Sequence, residues 1–294
     1  MDTVRNESDR VDPGGLASLN ESMRRGDISA WAGWRPEFIG FDEVLSMWRE
    51  VSSRLGSPGY PDHINVYVNV PVCASLCRYC MYWKTRSDQV SLVDYVDYLV
   101  SAIDMWGSAG GRRKAFNCYV GGGTASILPA KSLQRVVDSL AGAFDFRNER
   151  TIEVNPDSFN RTKLKIVGDG GFNRISMGIQ SLDRGVLAAV GRKNPGMAKL
   201  KDLVNGAGDF GILTNMDLIC GLPGQTPESL QHDLLTLAAM RPDTITVYRF
   251  QATIGLDISP ERRMQESRFA WHLGDVLNLA GQDRWSLDIR KDGD

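Results

Sequence analysis

Two hydrophobic periodicities alternate along most of this sequence. Six short segments are rich in apolar and β-branched residues, and the stretches between them repeat apolar residues every three to four positions, as helices do. The six predicted strands are residues 64–70, 116–121, 151–155, 174–179, 213–219 and 244–250. Strands separated by helices predict an α/β fold with a parallel sheet and right-handed crossovers, either open or closed into a partial barrel. We favour the partial barrel, because unusual polar residues cluster where the predicted strands end, and barrels place their chemistry there.

Local signals mark where several predicted helices begin. Ser91 and Asp94 have the character of a capping box before an apolar helical pattern, and Thr226 precedes a proline at the first helical position. Apolar spacing also predicts helices over residues 41–55 and 260–281. The three predicted parts of the chain are a partly disordered N-terminal extension (1–60), an α/β core (61–255) and a short C-terminal helical segment (256–294).

Composition and charge narrow the function classes. Apolar residues make up 42% of the 294 positions, charged residues 24%, and the net charge is -2, values that are typical of an ordinary globular protein. A nucleic-acid partner is not expected, because the tight basic run at residues 112–114 leads directly into a predicted strand and forms no basic stripe. The N-terminal residues lack the apolar core of a signal peptide, and no apolar stretch is long enough for a membrane span. These features predict a cytoplasmic location, where thiols stay reduced.

Three of the five cysteines lie close together directly after the first predicted strand. Cys73, Cys77 and Cys80 form a C-x3-C-x2-C pattern, which lets one loop present three thiolates to a metal centre. A structural zinc ion is usually held by four ligands, and the nearest candidate for a fourth, His63, is predicted at the opposite end of the strand. An iron–sulfur cluster on three cysteines instead leaves one iron open to a substrate or cofactor. The pattern favours the cluster, with zinc and chance clustering of core cysteines as the alternatives.

The cysteine spacing, with the aromatic Tyr79 before the last cysteine, resembles the signature of the radical S-adenosylmethionine (SAM) superfamily. The resemblance implies a [4Fe-4S] cluster on the three cysteines, whose open iron binds SAM and cleaves it to a 5'-deoxyadenosyl radical. It also implies a (β/α)6 partial TIM barrel with an N-terminal helical extension and a short C-terminal segment, which agrees with the strand count. A small-molecule substrate and a flavodoxin or ferredoxin as electron donor are further implications.

Several other stretches narrow the resemblance to oxygen-independent coproporphyrinogen III oxidase and its relatives. They are residues 67–73, 119–128, 152–158, 171–192 and 216–226. By this resemblance the residues that contact the cleaved SAM are Tyr79, Gly122, Gly123, Thr124, Gln180, Arg192 and Asp217. The glycines have a physical reason, because backbone without side chains lets amide groups approach a charged ligand, although many glycine runs only form a tight turn.

The resemblance also assigns Tyr67 and Glu153 to a second SAM and to catalysis. Buried carboxyl groups at Glu153 and Asp217 would suit a cationic or hydroxyl-bearing ligand, and the alternative is an internal salt bridge to Arg174 or Arg192. Two SAM molecules would imply methyl or methylene transfer to a small unsaturated substrate, as in class C methyltransferases and cyclopropane-forming enzymes. With Tyr67 as an ordinary inward-pointing aromatic residue, one SAM remains.

Three departures from the resembled family bear on the function. Porphyrinogen-oxidising members have a further cysteine where Tyr82 stands, which argues against decarboxylation of coproporphyrinogen. The glycine motif continues with Ala125 instead of proline, and residues 256–294 are shorter than the C-terminal domain of the relatives, as expected of a compact variant or of a truncated chain. We therefore favour methyl or methylene transfer by a radical SAM enzyme. The alternative is a haem chaperone-like protein or a coproporphyrinogen dehydrogenase-like oxidoreductase.

Overall fold

A computed structural model describes residues 41–110, 113–250 and 287–288 of the chain. Its strands are β1 (Ile64–Val70), β2 (Val72–Cys73), β3 (Thr85–Arg86), β4 (Arg113–Gly122), β5 (Phe144–Phe146), β6 (Arg150–Val154), β7 (Arg174–Gln180), β8 (Leu213–Cys220), β9 (Thr244–Arg249) and β10 (Leu287–Asp288). Its α-helices are α1 (Phe41–Arg54), α2 (Leu92–Gly110), α3 (Ala130–Ala143), α4 (Arg161–Asp169), α5 (Arg184–Ala189), α6 (Met197–Gly208) and α7 (Pro227–Ala238). A short 3₁₀ turn spans Ala125–Ile127. Contacts divide the chain into a unit of residues 45–290 and a small one of residues 1–44 and 291–294, and the sheet lies in the larger unit.

The main sheet is parallel throughout and follows the order of the chain. Its strands pair in the order β1, β4, β6, β7, β8, β9 and β10, and β5 pairs with the beginning of β4. Five crossovers connect the strands from β1 to β9. Four of them contain one helix each, which are α2, α3, α4 and α7, and the crossover from β7 to β8 contains both α5 and α6. This order confirms the predicted α/β partial barrel, because each strand of a β-helix-β unit pairs with the strand of the unit before it.

All six predicted strands are present, with bounds that differ by no more than three residues. The short strands β2, β3, β5 and β10 were not predicted, because two or three residues carry no readable period and exist as strands through their partners. Strand β10 lies inside the segment that was predicted to be helical. The helix predicted over residues 260–281 and the disorder predicted within the N-terminal extension, for residues 1 to about 20, lie outside the described residues.

The two predicted helix starts are confirmed. The hydroxyl of Ser91 accepts a hydrogen bond from the amide of Asp94 at the start of α2, at 3.2 Å. At the start of α7, Thr226 and Ser229 exchange side-chain and backbone hydrogen bonds, and a proline follows Thr226 directly. Each device satisfies amide groups that a helix leaves without partners in its first turn. In the described part of the chain we find no helix with the length and apolar character that a membrane crossing requires.

The sheet has an apolar side and a polar side. Side chains that alternate along each strand place Val68, Val120, Ile152, Ile175 and Met216 in the buried core that the helices cover. Their immediate neighbours along the chain face the other way, to the inside of the barrel. These inner residues include Tyr67, Tyr119, Glu153, Ser176 and Asp217. The core therefore lies between sheet and helices, and the barrel interior is polar.

Candidate functional site

The cysteine loop is closed at its base by a small pair of parallel strands. Cys73 ends β2 and is buried, and β2 pairs with β3, which follows the loop. The amide of Ser87 donates to the carbonyl of Cys73 at 2.9 Å, which joins the two ends of the loop. Within the loop, the ammonium of Lys84 donates to the carbonyl of Cys80 at 2.7 Å. The local fold therefore presents all three predicted ligands from one constrained segment.

The donor set of this loop fits an iron–sulfur cluster. All five cysteines are free thiols. Burial raises the pKa of Cys73, and the neighbouring Cys77 and Cys80 raise it further, so the three sulfur atoms interact electrostatically. No group of three His, Cys, Asp or Glu side chains within the described ranges is arranged around a single metal ion. The three thiols are therefore not preorganised around one ion in the described residues, and a donor set of three cysteines suits a cluster with one open iron better than a structural zinc site, which usually has four ligands.

The glycine run, residues 121–123, packs closely against strand β1 and the start of the cysteine loop. A methyl group on Gly122 would lie 2.1 Å from Oδ1 of Asn69, and one on Gly123 would lie 2.8 Å from the amide nitrogen of Val72 and 3.0 Å from Sγ of Cys73. Gly122 also has a φ of 108°, in the region that favours glycine. The glycines are thus required by close approach, and not only by a tight turn.

The amide groups of the glycine run are already used. The amides of Gly123 and Thr124 both donate to the carbonyl of Val70, and the amide of Gly122 donates to Oε2 of Glu153 at 3.3 Å. The contact of these amides with a ligand stays a prediction, and it requires that they exchange their present acceptors on strand β1 and Glu153. The run also carries carbonyl oxygens and the hydroxyl of Thr124, which donates to Sγ of Cys73 at 3.5 Å. Such acceptors suit an ammonium group.

Glu153 lies on the inner face of β6 and has no cationic partner in the described part of the chain. Its Oε1 accepts a hydrogen bond from the hydroxyl of Tyr119 at 2.8 Å, and the Tyr119 ring stacks on Tyr67 with centroids 5.9 Å apart and planes 9° apart. Burial raises the pKa of Glu153, and the two hydrogen bonds oppose that shift. No ion pair within the described residues includes Glu153 or Asp217, so the salt-bridge alternative is not observed for either.

Asp217 belongs to a second polar group in the barrel. Its carboxylate accepts from the hydroxyl of Ser176 at 2.6 Å and from the side-chain amide of Asn215 at 2.7 Å. Thr244 and Thr246 in turn donate to Oδ1 of Asn215, at 2.7 and 2.9 Å. Burial raises the pKa of Asp217 to about 6, against the effect of these hydrogen bonds. The carboxyl group is therefore oriented by neutral partners and keeps acceptor capacity for a ligand.

Gln180 occupies a strained position at the end of β7. Its φ is 69°, and the pairing of β7 with β8 shifts register between Gly178 and Gln180. A residue other than glycine with positive φ costs free energy, and such strain concentrates at ligand sites. The bulge redirects the Gln180 side chain at the place where the resemblance predicts a SAM contact.

Arg192 joins the cysteine loop to strand β7. Its guanidinium donates to the carbonyl of Gly178, to Sγ of Cys77 at 3.8 Å and to the hydroxyl of Tyr79 at 3.4 Å. The Nε of Arg192 is buried without a hydrogen-bond partner. An unsatisfied buried donor costs free energy, and an anionic group such as a carboxylate would satisfy it. Tyr79 packs against a small apolar cluster that includes Val190 and Leu222.

The loop after β8 is held by one buried amide. Oε1 of Gln225 accepts from the amides of Gly221 and Leu222, at 2.7 and 3.2 Å, and its Nε2 donates to the carbonyl of Ile219 at 3.1 Å. Gln225 thus fixes the conformation of the loop that follows the carboxyl end of β8. This residue, like Tyr119 and the Ser176–Asn215 pair, was missed in the sequence. The signal for Tyr119, Ser176 and Asn215 would have been the two-residue alternation, which places them on the same face as the predicted residues, whereas Gln225 lies in a loop and has no such signal.

Two series of contacts, which both begin at the cysteine loop, connect most of the predicted site residues. Cys73, Thr124 and the glycines form one end, Glu153 and Tyr67 adjoin them through Gly122 and Tyr119, and Arg192 and Tyr79 adjoin Cys77. Gly178 pairs with Asp217 in the sheet and accepts from Arg192, which links the polar group of Asp217 to the same mouth. The structure thus places the residues together, and their roles remain predictions.

The fold and the site first define a class. A parallel partial barrel that presents a three-cysteine loop and a glycine run at the carboxyl ends of its strands has the architecture of a SAM-dependent iron–sulfur protein. The radical SAM superfamily model matches residues 68–237, more than half of the chain, and the chain belongs to that superfamily.

Within the superfamily, the chain is similar to the coproporphyrinogen oxidase group, as its motifs predicted. It is 33% identical over 196 residues to the oxygen-independent coproporphyrinogen III oxidase of Salmonella typhimurium, covering 65% of this chain and 43% of the relative. It is 28% identical over 187 residues to the heme chaperone HemW of Lactococcus lactis, covering 63% and 48%. The solved structure of coproporphyrinogen III oxidase (HemN) from Escherichia coli aligns with a TM-score of 0.69 and 27% identity, covering 83% of this chain and 57% of that chain. The chain therefore spans less than half the length of the two curated relatives.

Proposed function

We propose that the protein is a radical SAM enzyme that oxidises a small-molecule substrate in the manner of the coproporphyrinogen oxidase group. One observation supports this proposal most directly. The three free thiols of the cysteine loop and the two buried carboxyl groups of Glu153 and Asp217 lie on the same polar side of the barrel. A purely structural barrel would fill this interior with apolar side chains, because buried carboxyl groups without cations cost stability.

Cys73, Cys77 and Cys80 are the residues that hold the cluster. They lie on one loop that β2 and β3 close at its base, and the glycine run leaves room beside Cys73 that any larger residue would occupy. When bound, a [4Fe-4S] cluster supplies the electron that cleaves SAM to methionine and a 5'-deoxyadenosyl radical. The protein's own contribution is to hold SAM in one orientation and to keep the substrate beside it.

The polar groups of the mouth match the parts of S-adenosyl-L-methionine. The carbonyl oxygens of Gly122 and Gly123 and the hydroxyl of Thr124 are acceptors for its ammonium group. The unpaired Nε of Arg192 is a donor for its carboxylate. Asp217, oriented by neutral partners, is an acceptor for ribose hydroxyls, with Gln180 at the bulge beside it and Tyr79 as the apolar contact for the adenine ring.

The substrate side is formed by Tyr67 and Glu153. Tyr67 lies on the inner face of β1 and is 61% exposed. Its ring stacks on Tyr119, whose hydroxyl holds the carboxyl group of Glu153. We assign these two residues to the binding of the substrate or of a second SAM, and to catalysis. The names of the two curated relatives, an oxidase and a heme chaperone, support an oxidoreductase or chaperone function more than the methyl or methylene transfer that the sequence favoured.

The exposed part of the cysteine loop is the surface that we assign to the electron donor. Met81, Tyr82 and Trp83 are between 68% and 76% exposed, and the loop also carries the cations Arg78 and Lys84. Apolar side chains edged by positive charge are suited to a small acidic partner. We propose a reduced flavodoxin or ferredoxin of the cytoplasm as that partner.

The first experiment tests cluster-dependent cleavage of SAM. The protein is reconstituted anaerobically with iron and sulfide, reduced with dithionite and assayed for 5'-deoxyadenosine. Cys77→Ala should abolish this product, whereas Cys118→Ala is the matched control, because Cys118 is buried in the apolar core under the helices. A wild-type protein that carries a cluster and forms no 5'-deoxyadenosine would overturn the enzymatic proposal.

A second pair of measurements separates the oxidoreductase from the chaperone. Decarboxylation of coproporphyrinogen III, followed by fluorescence of the oxidised product, would support the oxidase. Tyr82 stands where porphyrinogen-oxidising members have a further cysteine, which favours the second candidate, a haem chaperone. Tight stoichiometric binding of haem, together with no turnover of coproporphyrinogen, would establish that candidate and exclude the first.

A further inference from the structure

Tyr119 connects the two residues of the substrate side and has no role in the function proposed above. It lies on the inner face of β4, directly opposite Tyr67 in the register of β1 and β4. Its ring stacks on that of Tyr67 at 5.9 Å, and its hydroxyl donates to Oε1 of Glu153 at 2.8 Å. One side chain thus contacts a neighbour on each adjoining strand.

Glu153 in turn connects Tyr119 to the glycine run. Its two oxygens accept from two donors of β4, the Tyr119 hydroxyl and the Gly122 amide. The pair closes over Gly121, where an added methyl group would lie 2.8 Å from Oε2 of Glu153 and 3.0 Å from a ring carbon of Tyr119. The carboxyl group is therefore held in place by strand β4, without the help of a cation.

We propose that Tyr119 is a positioning residue, which sets the place of the Glu153 carboxyl group and of the Tyr67 ring and thereby controls ligand affinity in the mouth. This inference rests on the proposed function, because it requires SAM as a ligand. Tyr119 itself touches no reacting atom; it acts through Glu153 and Gly122. Its hydroxyl orients the carboxyl group of Glu153 through a hydrogen bond, and its ring positions the ring of Tyr67 by stacking.

The two effects are separable by substitution. Tyr119→Phe removes the hydroxyl and keeps the stacked ring, so Glu153 keeps only the Gly122 amide and can turn away from the glycine run. The loss of this hydrogen bond leaves the carboxyl group less well oriented, so we expect SAM to bind about tenfold more weakly. Tyr119→Leu removes the stacking as well and should weaken binding further.

The test is a double-mutant cycle with SAM as the probe. The dissociation constant of SAM is measured by anaerobic equilibrium dialysis for the cluster-loaded wild type, Tyr119→Phe, Glu153→Gln and the double variant. We expect the tenfold effect of Tyr119→Phe to disappear in the Glu153→Gln background, because the hydroxyl acts through that carboxyl group. Iron content should equal that of the wild type. Tyr98→Phe, on the exposed surface of α2, is the matched control and should bind SAM as the wild type does.

Two results have distinct meanings. A cluster-loaded wild type that binds no SAM overturns the proposed function, whatever the variants do. A wild type that binds SAM, with Tyr119→Phe equal to it or with equal effects in both backgrounds, overturns the positioning role alone. A change in the cluster's electron paramagnetic resonance signal on addition of SAM shows which of the two cases applies.

Discussion

The two sides of the sheet follow opposite physical rules, although their residues alternate along the same strands. Ile152 is completely buried in the apolar core, and its neighbour Glu153 faces a polar interior with no cationic partner among the described residues. The same contrast separates Val120 from Tyr119 and Met216 from Asp217. The apolar side stabilises the barrel by burial, and the polar side costs stability and offers ligand contacts. Changes on the two sides should therefore have opposite consequences, which the following predictions test.

The largest effect is expected on the apolar side. Ile152→Ala should lower the free energy of unfolding by about 2–5 kcal/mol, because it removes buried carbon atoms and leaves a cavity. Urea denaturation measures the loss. Glu153→Ala is the matched change one residue away, and it should cost much less or stabilise the protein. Equal losses at the two positions would contradict the division into a stabilising and a functional side.

A second prediction concerns the glycine run, where backbone conformation and contact act together. Gly122→Ala should destabilise the protein by about 1–3 kcal/mol, since the φ of 108° is strained for alanine and the new methyl group would meet Asn69. It should also lower cluster loading, measured as iron and sulfide content. Gly142→Ala in α3 meets no atom within 4 Å, so this control should be neutral or stabilising. A Gly122→Ala protein as stable as the control would show that the run tolerates a side chain.

A third prediction uses the raised pKa of Asp217, which is about 6 because the group is buried. A carboxyl group whose folded pKa lies above the unfolded value binds its proton more tightly in the folded state. Its stability contribution is therefore present at low pH and is lost as pH rises through about 4 to 6. Asp217→Asn should be more stable than the wild type by about 3 kcal/mol at pH 7.5, and the difference should be small near pH 4. Urea denaturation at the two pH values measures it; a variant that is less stable at pH 7.5 would refute the prediction.

The smallest effect on stability is expected at Tyr67. This side chain is 61% exposed, so Tyr67→Leu should change the free energy of unfolding by no more than about 0.5 kcal/mol. The number of SAM molecules bound per protein, measured by dialysis, is the sharper readout. A stoichiometry that falls from two to one would support the assignment of Tyr67 to a second SAM. An unchanged stoichiometry would leave Tyr67 to the substrate or to ordinary packing.

Local patterns in the sequence were sufficient for most of the architecture. The bounds of β1, 64–70, were predicted without error, and the capped starts of α2 and α7 were read from Ser91 and Thr226. Strand periodicity and helix capping are properties of neighbouring residues, so they can be read one segment at a time. The cysteine loop was also readable from local sequence, because all three predicted ligands lie within eight positions.

Other features depend on residues that are far apart in the chain. The short strands β2 and β3 exist only because they pair with each other, and the positive φ of Gln180 follows from a register shift against β8. Tyr119 and Glu153 are 34 positions apart, and no local pattern predicts their hydrogen bond. Register between strands is a non-local property, since it depends on how each crossover helix packs.

The sequence by itself determined the α/β class, the positions of the six main strands, the spacing of the three clustered cysteines and the superfamily. Only the tertiary structure decided that Glu153 and Asp217 have neutral partners instead of salt bridges, that the amides of the glycine run are occupied, and that Tyr119 joins Tyr67 to Glu153. The physical reason is that identities and spacings specify which groups a strand presents, whereas the satisfaction of buried polar groups depends on which strand lies opposite.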